Sequence, residues 1–538
     1  MDFQRLLLMF VFGFSVILLW EAWQKEARPP VPVGQAAQIV ERPAGPGPSR
    51  VPEAEQNNVP RGEPEVRAEI LSVRTDLLAV DLDTRGASIR RVELLKHRDA
   101  GNPEKSMLLL DPAFEYEAQS GLIGEGQPTH RTVWRVVSGD REIGSEAKAI
   151  EVRFVAERAG GKAVTKVYTF TRDSYVVGVR FEGPGVDRSA HAYFQLVRNE
   201  KDPPGQITMM STFFGPALFT EKTAYRKIAF SDIEKGKAEV PADASDGWIG
   251  MVQHYFLSAW LPAQGTKREF YVRKGQDGRY AAGVVLPASG AGDGMRIESQ
   301  LFVGPQEQDH LKALAPGLDL VVDYGFLTII AWPLFWLLKL FQSWAGNWGL
   351  AIILLTILLK LIFLPLSAAS YRSMAKMKLV APRLQKLREM YGNDRAKMTQ
   401  ATMELYKTEK INPLGGCFPV LVQIPVFIAL YWVLLAAIEL RHAPFVLWIK
   451  DLSTLDPYFV LPTLMTATMV IQTRMNPKPP DPVQAKVMAV MPFAFSVFFF
   501  FFPAGLVLYW LVNNILSILQ QWQIQRIFER DRPAHGKR

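Results

Sequence analysis

Four long apolar segments in the C-terminal part of the chain constrain its fold more than any other feature. They cover residues 347–366, 415–437, 457–472 and 487–519. About 20 apolar residues in a helix cross the roughly 30 Å hydrocarbon layer of a membrane. The last segment would extend roughly 50 Å as one helix, and the "FPAG" sequence in its middle is a turn signal. We therefore divide it into two spans, 487–502 and 503–525.

The N-terminal residues predict one further span and a linker. Phe3–Trp20 is apolar, its flanks carry little charge, and no small-residue cleavage site follows it. These features favour an uncleaved anchor, residues 1–24, over a secretory signal peptide. Residues 25–65 are rich in proline and poor in aromatic residues, so we interpret them as a linker.

Residues 66–318 show a different pattern, in which apolar and polar side chains alternate. Such alternation, typical of half-buried strands, occurs at 150–156, 175–182, 268–275 and 295–305. Clusters of Gly, Pro and Asp separate these runs. The pattern predicts a large all-β domain, most simply a β-sandwich. A mean hydropathy of +0.05 fits a chain that combines this soluble part with a membrane part.

Residues 319–345 connect the two parts. Their apolar core, 326–341, is only 16 residues long and carries Trp332, Trp336 and Lys339. As a helix it would extend roughly 24 Å, which is short for a span. We expect an amphipathic helix that lies in the membrane interface, and a short true span is the alternative.

The distribution of positive charge predicts the orientation of the chain in the membrane. Residues 372–410, within the segment 368–413, carry ten Lys or Arg against four Asp or Glu, a net charge of +6. The loop 474–486 and the tail 526–538 are also basic, whereas the loop 438–456 is slightly acidic. The positive-inside rule places the basic segments and both termini in the cytoplasm, and the acidic loop and β domain outside. The six predicted spans are 1–24, 346–367, 414–437, 457–473, 487–502 and 503–525.

The chain contains no sequence pattern typical of an enzyme. Its single cysteine, Cys417, excludes an internal disulfide, and its seven histidines are scattered. There is no phosphate-binding loop, nucleophile elbow or zinc-protease motif. A Ser–Lys dyad is disfavoured because Ser367 lies two helical turns from Lys360. We expect no cofactor, no metal site and no catalytic activity.

The basic segment 368–413 predicts a helical hairpin. Apolar residues at 377, 380, 384, 387 and 391 follow helical spacing, "GND" interrupts them, and a second stripe follows at 398–405. The hairpin is either a solvated link or a docking arm for an anionic partner. The candidate contact residues are Arg372, Lys376, Lys378, Arg383, Lys386 and Arg388.

Polar residues inside the predicted spans form a second candidate site. Thr356 and Lys360 share one helical face, and Trp510, Asn514, Ser517 and Gln521 share another. Polar groups in spans usually face a bundle interior or a wet cavity, and a lysine near a helix end can instead snorkel to the headgroups. The stripe on the last span favours a polar cavity. The other residues that we expect to line this cavity are Gln423, Gln472, Tyr509 and Asn513.

Three long motifs resemble those of a known family. They are "NPLGGCFPVLVQIPVFIALYWVL" (412–434), "ELRHAPFVLWIKDLS" (439–453) and "FPAGLVLYWLVNN" (502–514). They are similar to the YidC/Oxa/Alb insertases, and the N-terminal anchor with a large β domain resembles the Gram-negative YidC form. The resemblance implies a membrane protein insertase and chaperone of the bacterial inner membrane. It also implies a periplasmic β-supersandwich and five core helices around a hydrophilic groove that is closed on the outside.

The resemblance also implies partners and site residues. Expected partners are nascent membrane proteins, the Sec translocon (SecYEG and accessory subunits), the ribosome through the basic hairpin and tail, and anionic lipids. Lys360 matches the groove cation, which is typically arginine in the Gram-negative form. Thr356 and Trp510 match substrate-contacting positions, Trp510 in place of a tyrosine. A transporter or channel is the alternative function, because a charged groove at membrane depth also suits ions.

Overall fold

The computed structural model describes residues 68–99, 102, 104–157, 161–201, 213–290, 295–391, 394–409, 411, 418–476 and 482–530. The predicted anchor 1–24, the linker up to residue 65 and the tail beyond Arg530 lie outside the described residues. The described chain forms two compact units, one of strands and one of helices. Each unit is described by itself.

The β unit contains two antiparallel sheets. The first sheet has the order β1-β2-β3-β5-β10-β16-β15, and β4 pairs with β3. Its strands are β1 Ile70–Arg74, β2 Leu78–Asp83, β3 Ser88–Arg98, β4 Ser106–Leu110, β5 Glu117–Ile123, β10 His191–Arg198, β15 Glu269–Lys274 and β16 Tyr280–Pro287.

The second sheet has the order β12-β11-β13-β14-β17-β9-β8-β7-β6. Its strands are β6 Arg135–Gly139, β7 Ala149–Glu157, β8 Ala163–Thr171, β9 Val176–Glu182, β11 Gly215–Thr220, β12 Ala224–Lys227, β13 Trp248–Gln253, β14 Phe256–Leu261 and β17 Arg296–Pro305. Two short helices, α1 Phe230–Glu234 and α2 Gln308–Leu314, accompany the sheets.

The predicted all-β domain is confirmed, and its core lies between the sheets. In β7 the apolar residues Ile150, Val152 and Phe154 are buried, and the intervening polar residues are partly exposed. Alternate side chains of a strand point to opposite faces, so this pattern buries one face of each sheet. Phe194 of the first sheet packs against Trp260 of the second, with ring centroids 5.1 Å apart.

In the sequence, most of the helical unit follows the β unit. Its described helices are α3 Thr328–Ala345, α4 Trp348–Ile362, α5 Leu364–Tyr391, α6 Arg395–Thr408, α7 Phe418–Ala436, α8 Val460–Met475, α9 Pro482–Phe499 and α10 Ala504–Arg530. Helices α9 and α10 are separate, as the turn signal at 502–505 predicts. Helices α5 and α6 correspond to the predicted basic hairpin.

A sharp bend separates α4 from α5. The predicted span extends to residue 367, whereas α4 ends at Ile362 and α5 starts at Leu364. Pro365 explains the break, because proline has no N–H to donate to the carbonyl one turn earlier. Among the described residues, no single helix is long and apolar enough to cross a membrane. Helices α4 and α5 pass that test together, with a bend of 65° between them. The six-span count therefore stays a prediction.

Candidate functional site

The side chain of Lys360 is buried between two helices. It lies in the last turn of α4 and is 8% exposed. Its Nζ donates a hydrogen bond to Ser517 Oγ of α10 over 2.7 Å. The Ser517 hydroxyl in turn donates to the carbonyl oxygen of Asn513 over 2.7 Å. No carboxylate of the described chain lies within salt-bridge distance of Lys360, so its charge is paired only with a neutral hydroxyl.

The polar stripe of α10 faces neighbouring helices. Asn514, Ser517 and Gln521 are all buried, as their shared face predicts. The Asn514 amide lies 3.5 Å from Thr468 Oγ1 of α8. Gln521 donates to Asn476 Oδ1 over 3.0 Å, at the C-terminal end of α8. The Gln521 Oε1 atom is buried and has no hydrogen-bond donor among the described residues. The stripe thus carries hydrogen-bonding capacity that the described chain leaves unused.

Thr356 shares the buried face of α4 with Lys360. Its side chain is 1% exposed, and its hydroxyl donates to the Ile352 carbonyl of the preceding turn over 2.6 Å. The hydroxyl proton is therefore used within the helix, which leaves the Oγ1 lone pairs as acceptors. Thr356 and Lys360 together give the buried face of α4 both a hydrogen-bond acceptor and a cation.

Residues of α7 cover the other side of the stripe. Gln423 donates to Asn513 Oδ1 over 2.9 Å. Phe427 meets the Trp510 ring edge-on, with centroids 4.3 Å apart, and stacks on Tyr509 at 6.0 Å. Phe499, at the end of α9, lies 5.0 Å from Trp510. Trp510 is therefore held by aromatic rings from two helices, while Asn513 links α10 to α7.

The structure does not bring every predicted residue into this network. The Gln472 side chain is half-buried and makes no hydrogen bond to any described residue. Sequence reasoning in turn missed Thr468 and Asn476, which contact the stripe from α8. A signal for both was available, because Thr468, Gln472 and Asn476 follow each other at helical spacing of four.

The loop 440–456, here called the closing loop, packs against α4 at the opposite end from Lys360. The Asn347 side chain caps α4 by accepting from Leu350 N, and it donates to the Phe445 carbonyl over 2.9 Å. The N–H groups of Ala504 and Gly505 at the start of α10 donate to carbonyls of the same loop over 2.7 and 2.9 Å. A Cβ atom at Gly349 would lie 2.1 Å from the Phe445 ring, so the loop packs directly on α4.

The basic side chains of the hairpin mostly point into solvent. Val380 and Leu384 are buried on the predicted apolar stripe of α5. Arg383 forms an ion pair with Glu409, which follows α6. Lys376 is half-buried, and the side chain of Arg388 lies outside the described part of the chain. Of the predicted contact residues, Arg372, Lys378, Arg383 and Lys386 are exposed.

Two family models together match most of the chain. Residues 70–337 match the YidC periplasmic domain, and residues 340–531 match the 60Kd inner membrane protein family. The chain is therefore a multi-pass inner membrane protein with a periplasmic β domain. A sequence from Methylobacillus flagellatus called "Membrane protein insertase YidC" is 52% identical and aligned over 98% of both chains. The chain belongs to the YidC family of membrane protein insertases, as its motifs predict.

Other relatives show the same full-length similarity. The YidC insertase of Dechloromonas aromatica is 48% identical over 98% of both chains, and that of Bordetella petrii is 47% identical over 100% of both. Among solved structures, "Active YidC insertase crystal structure with the first transmembrane domain resolved" is similar with a TM-score of 0.40 and 18% identity. That similarity covers 84% of this chain and 92% of the other.

Proposed function

We propose that the chain inserts a membrane protein by holding the polar part of the incoming segment in the groove around Lys360. One observation carries this proposal: the ammonium of Lys360 is buried and has a hydroxyl, not a carboxylate, as its described partner. A buried cation is stable only when it is paired or when water enters the site. An anionic group of a substrate would supply the missing counter-charge.

The groove would lower the main barrier to insertion. An acidic tail costs several kcal/mol to move through hydrocarbon, because its charge loses water and gains no partner. The buried polar residues of α4 and α10 replace part of that water. Lys360 attracts the tail part of the way, and the apolar part of the segment then leaves into lipid, driven by burial of its apolar surface. This route needs no nucleotide and no cofactor.

A lysine in this position makes the attraction less directional. Lysine presents a compact ammonium, whereas arginine presents a planar fork that binds a carboxylate through two parallel hydrogen bonds. We therefore propose that Lys360 selects substrates by charge, with little preference for the geometry of the acidic group. Thr356, Gln423, Gln472, Tyr509, Trp510, Asn513 and Asn514 would form the walls that contact the rest of the segment.

The proposal extends to orientation and partners. The positive-inside rule supports cytoplasmic termini and a cytoplasmic hairpin, with the β domain in the periplasm. The exposed cations of α5 suit anionic surfaces, so we propose that the hairpin and the basic tail contact the ribosome and anionic lipids. The Sec translocon is the proposed partner for larger substrates.

A reconstitution experiment tests the groove. Proteoliposomes that contain the full chain would receive a single-span substrate with either an acidic or a neutral tail. We expect Lys360→Ala to reduce insertion of the acidic-tailed substrate roughly tenfold and Lys360→Arg to retain it. Lys450→Ala, which removes an exposed lysine from the closing loop, is the matched control. Equal insertion of both substrates by Lys360→Ala would contradict the charge argument, and ion flux without insertion would favour the transporter.

A further inference from the structure

The closing loop displays an exposed leucine on a tight turn. Ile449 N donates to the Val446 carbonyl oxygen over 3.1 Å, and Phe445 N donates to the Ile449 carbonyl oxygen over 2.9 Å. Leu447 occupies the second position of this turn, with φ at 55°. That left-handed conformation favours glycine or asparagine, and a bulky side chain rarely adopts it. The Leu447 side chain is 82% exposed, so it contributes little to the packing of the loop.

The backbone around the turn is attached to two helices. The Asn347 side chain, which caps α4, donates to the Phe445 carbonyl oxygen over 2.9 Å. Gly505 N, at the start of α10, donates to the Leu452 carbonyl oxygen over 2.9 Å. The position of Leu447 is therefore fixed by α4 and α10 and not by contacts of its own side chain.

A second exposed apolar segment lies beside the turn. Leu455, Tyr458 and Phe459 precede α8 and are exposed, Tyr458 by 70%. Trp448 connects the two segments, because its Nε1–H donates to Asp456 Oδ1 over 2.9 Å and its ring centroid lies 6.4 Å from that of Tyr458. We call the exposed residues of both segments the apolar patch: Val446, Leu447, Leu455, Tyr458 and Phe459.

The carboxylates near the apolar patch are occupied within the loop. Asp456 is 2% exposed and accepts from two backbone N–H groups, over 3.1 and 2.7 Å, besides Trp448. Asp451 Oδ2 lies 3.1 Å from His442 Nδ1. Lys450 is the one other charged residue in the sequence 444–459, and it is exposed. The surface of this segment thus combines apolar side chains, a tyrosine and one positive charge.

The apolar patch begins next to an exposed apolar face of α4. Leu350, Leu354, Ile357 and Leu361 are exposed and follow each other at spacings of four, three and four, so they share one side of the helix. In a membrane protein such a face contacts lipid. The closing loop meets α4 at Gly349, one residue before this face begins. The loop therefore lies beside a surface that is already suited to lipid.

We propose that the apolar patch lies in the interface of the lipid bilayer, with Leu447 among the outermost acyl-chain carbons. Apolar side chains gain free energy from burial there, and tyrosine and lysine suit the level of the headgroups. Lys450 matches the lipid phosphates in charge, and the occupied carboxylates leave little negative charge to oppose them. Because the turn is attached to α4 and α10, this contact sets the depth of both helices in the bilayer. The proposal depends neither on the groove nor on the side of the membrane that the loop faces.

Fluorescence quenching in proteoliposomes tests the proposal. The full-length protein with Cys417→Ser receives one new cysteine, Leu447→Cys or Tyr458→Cys, which is labelled with an NBD fluorophore. Vesicles of phosphatidylcholine and phosphatidylglycerol carry a nitroxide at the headgroup, at the start of the acyl chain or at its middle. We expect both probes to be quenched most by the nitroxide at the start of the acyl chain, and little by iodide present on both sides of the membrane. Lys162→Cys, at an exposed lysine of the β unit, is the control and should show the reverse.

A charge in the patch tests whether its two segments form one surface. Leu447→Asp should make the probe at 458 more accessible to iodide and less to the lipid nitroxides, because a carboxylate resists burial in the acyl chains. Leu447→Asn tolerates the left-handed backbone without adding a charge and should have a smaller effect. A thermal unfolding scan in detergent shows that each variant is folded.

Three results would overturn the proposal. Strong iodide quenching at both probes would show that the patch faces water. Protection from iodide without quenching by any lipid nitroxide would show that protein covers the patch, either another part of the chain or a second copy. A probe at 458 that is unchanged by Leu447→Asp would show that the two segments do not share one lipid contact.

Discussion

Ser517→Asp is expected to disable the groove without removing its lysine. Ser517 Oγ lies 2.7 Å from Lys360 Nζ, so an aspartate at 517 would place a carboxylate beside the ammonium. Two opposite unit charges about 4 Å apart attract by about 4 kcal/mol at an effective dielectric constant of about 20. The carboxylate at 517, which is part of the same chain, would therefore outcompete the acidic tail of a substrate for the Lys360 ammonium. The substrate tail must also lose its freedom to move when it binds.

We expect the variant to lose about 1–3 kcal/mol of attraction for an acidic tail, equivalent to a roughly 5- to 150-fold lower insertion efficiency. The neutral-tailed substrate should be affected much less. The assay is insertion into proteoliposomes, scored by protection of the substrate from added protease. Ser517→Asn is the matched control, because an amide oxygen can still accept from Lys360 and adds no charge.

The outcome that would refute the reasoning is specific. If Ser517→Asp inserts the acidic-tailed substrate as well as the unchanged chain does, while Lys360→Ala does not, the lysine acts through packing and not through its charge. Loss of both substrates to the same degree would instead indicate a general disturbance of α4 and α10, and Ser517→Asn would then show the same loss.

Three further predictions concern stability. Lys166 is fully buried and donates to the carbonyl oxygens of Gly86, Ala87 and Ser120. Lys166→Met should lower the free energy of unfolding by about 3 kcal/mol or more, because these acceptors lose their donor. Denaturant unfolding measures this change, and Lys162→Met, at an exposed lysine, is the control. Burial lowers the folded-state pKa of His130 from 6.5 to about 4, so the folded state binds fewer protons and should lose about 2 kcal/mol as the pH falls from about 6.5 to about 4. His130→Gln should flatten that part of a stability-against-pH curve, and an unchanged curve would contradict it. Gly349→Val should destabilise the helical unit by about 1–3 kcal/mol through its clash with the closing loop, seen as a lower thermal midpoint, whereas exposed Leu350→Val should have little effect.

The strands of the β unit could be predicted well because alternation is a local property of the sequence. The runs at 150–156 and 295–305 correspond closely to β7 and β17. The order of the strands could not be predicted in this way. Strand β10 lies between β5 and β16, and such pairings depend on contacts between residues far apart in the chain. Alternation also places Lys166 on the inward face of β8, but it gives no sign of the carbonyls that surround its ammonium.

Helix boundaries were less predictable than helix faces. The predicted span to residue 367 overlooked the break near Pro365, where a missing N–H outweighs the apolar composition around it. The face that carries Asn514, Ser517 and Gln521 followed directly from helical spacing, and all three side chains are buried. The contacts of Gln472 could not be predicted, because the polarity of a side chain does not identify the neighbour that it meets.

The sequence by itself determined the all-β domain, the family, and the two polar faces that carry Lys360 and Ser517. These properties depend on residue type and on spacing within one helix or strand. Only the tertiary structure decided that the two faces meet, through a bond between residues 157 positions apart. It also decided which buried polar groups of the β unit have no partner among the described residues. Spacing along one element cannot reveal such contacts, because they are set by packing between elements.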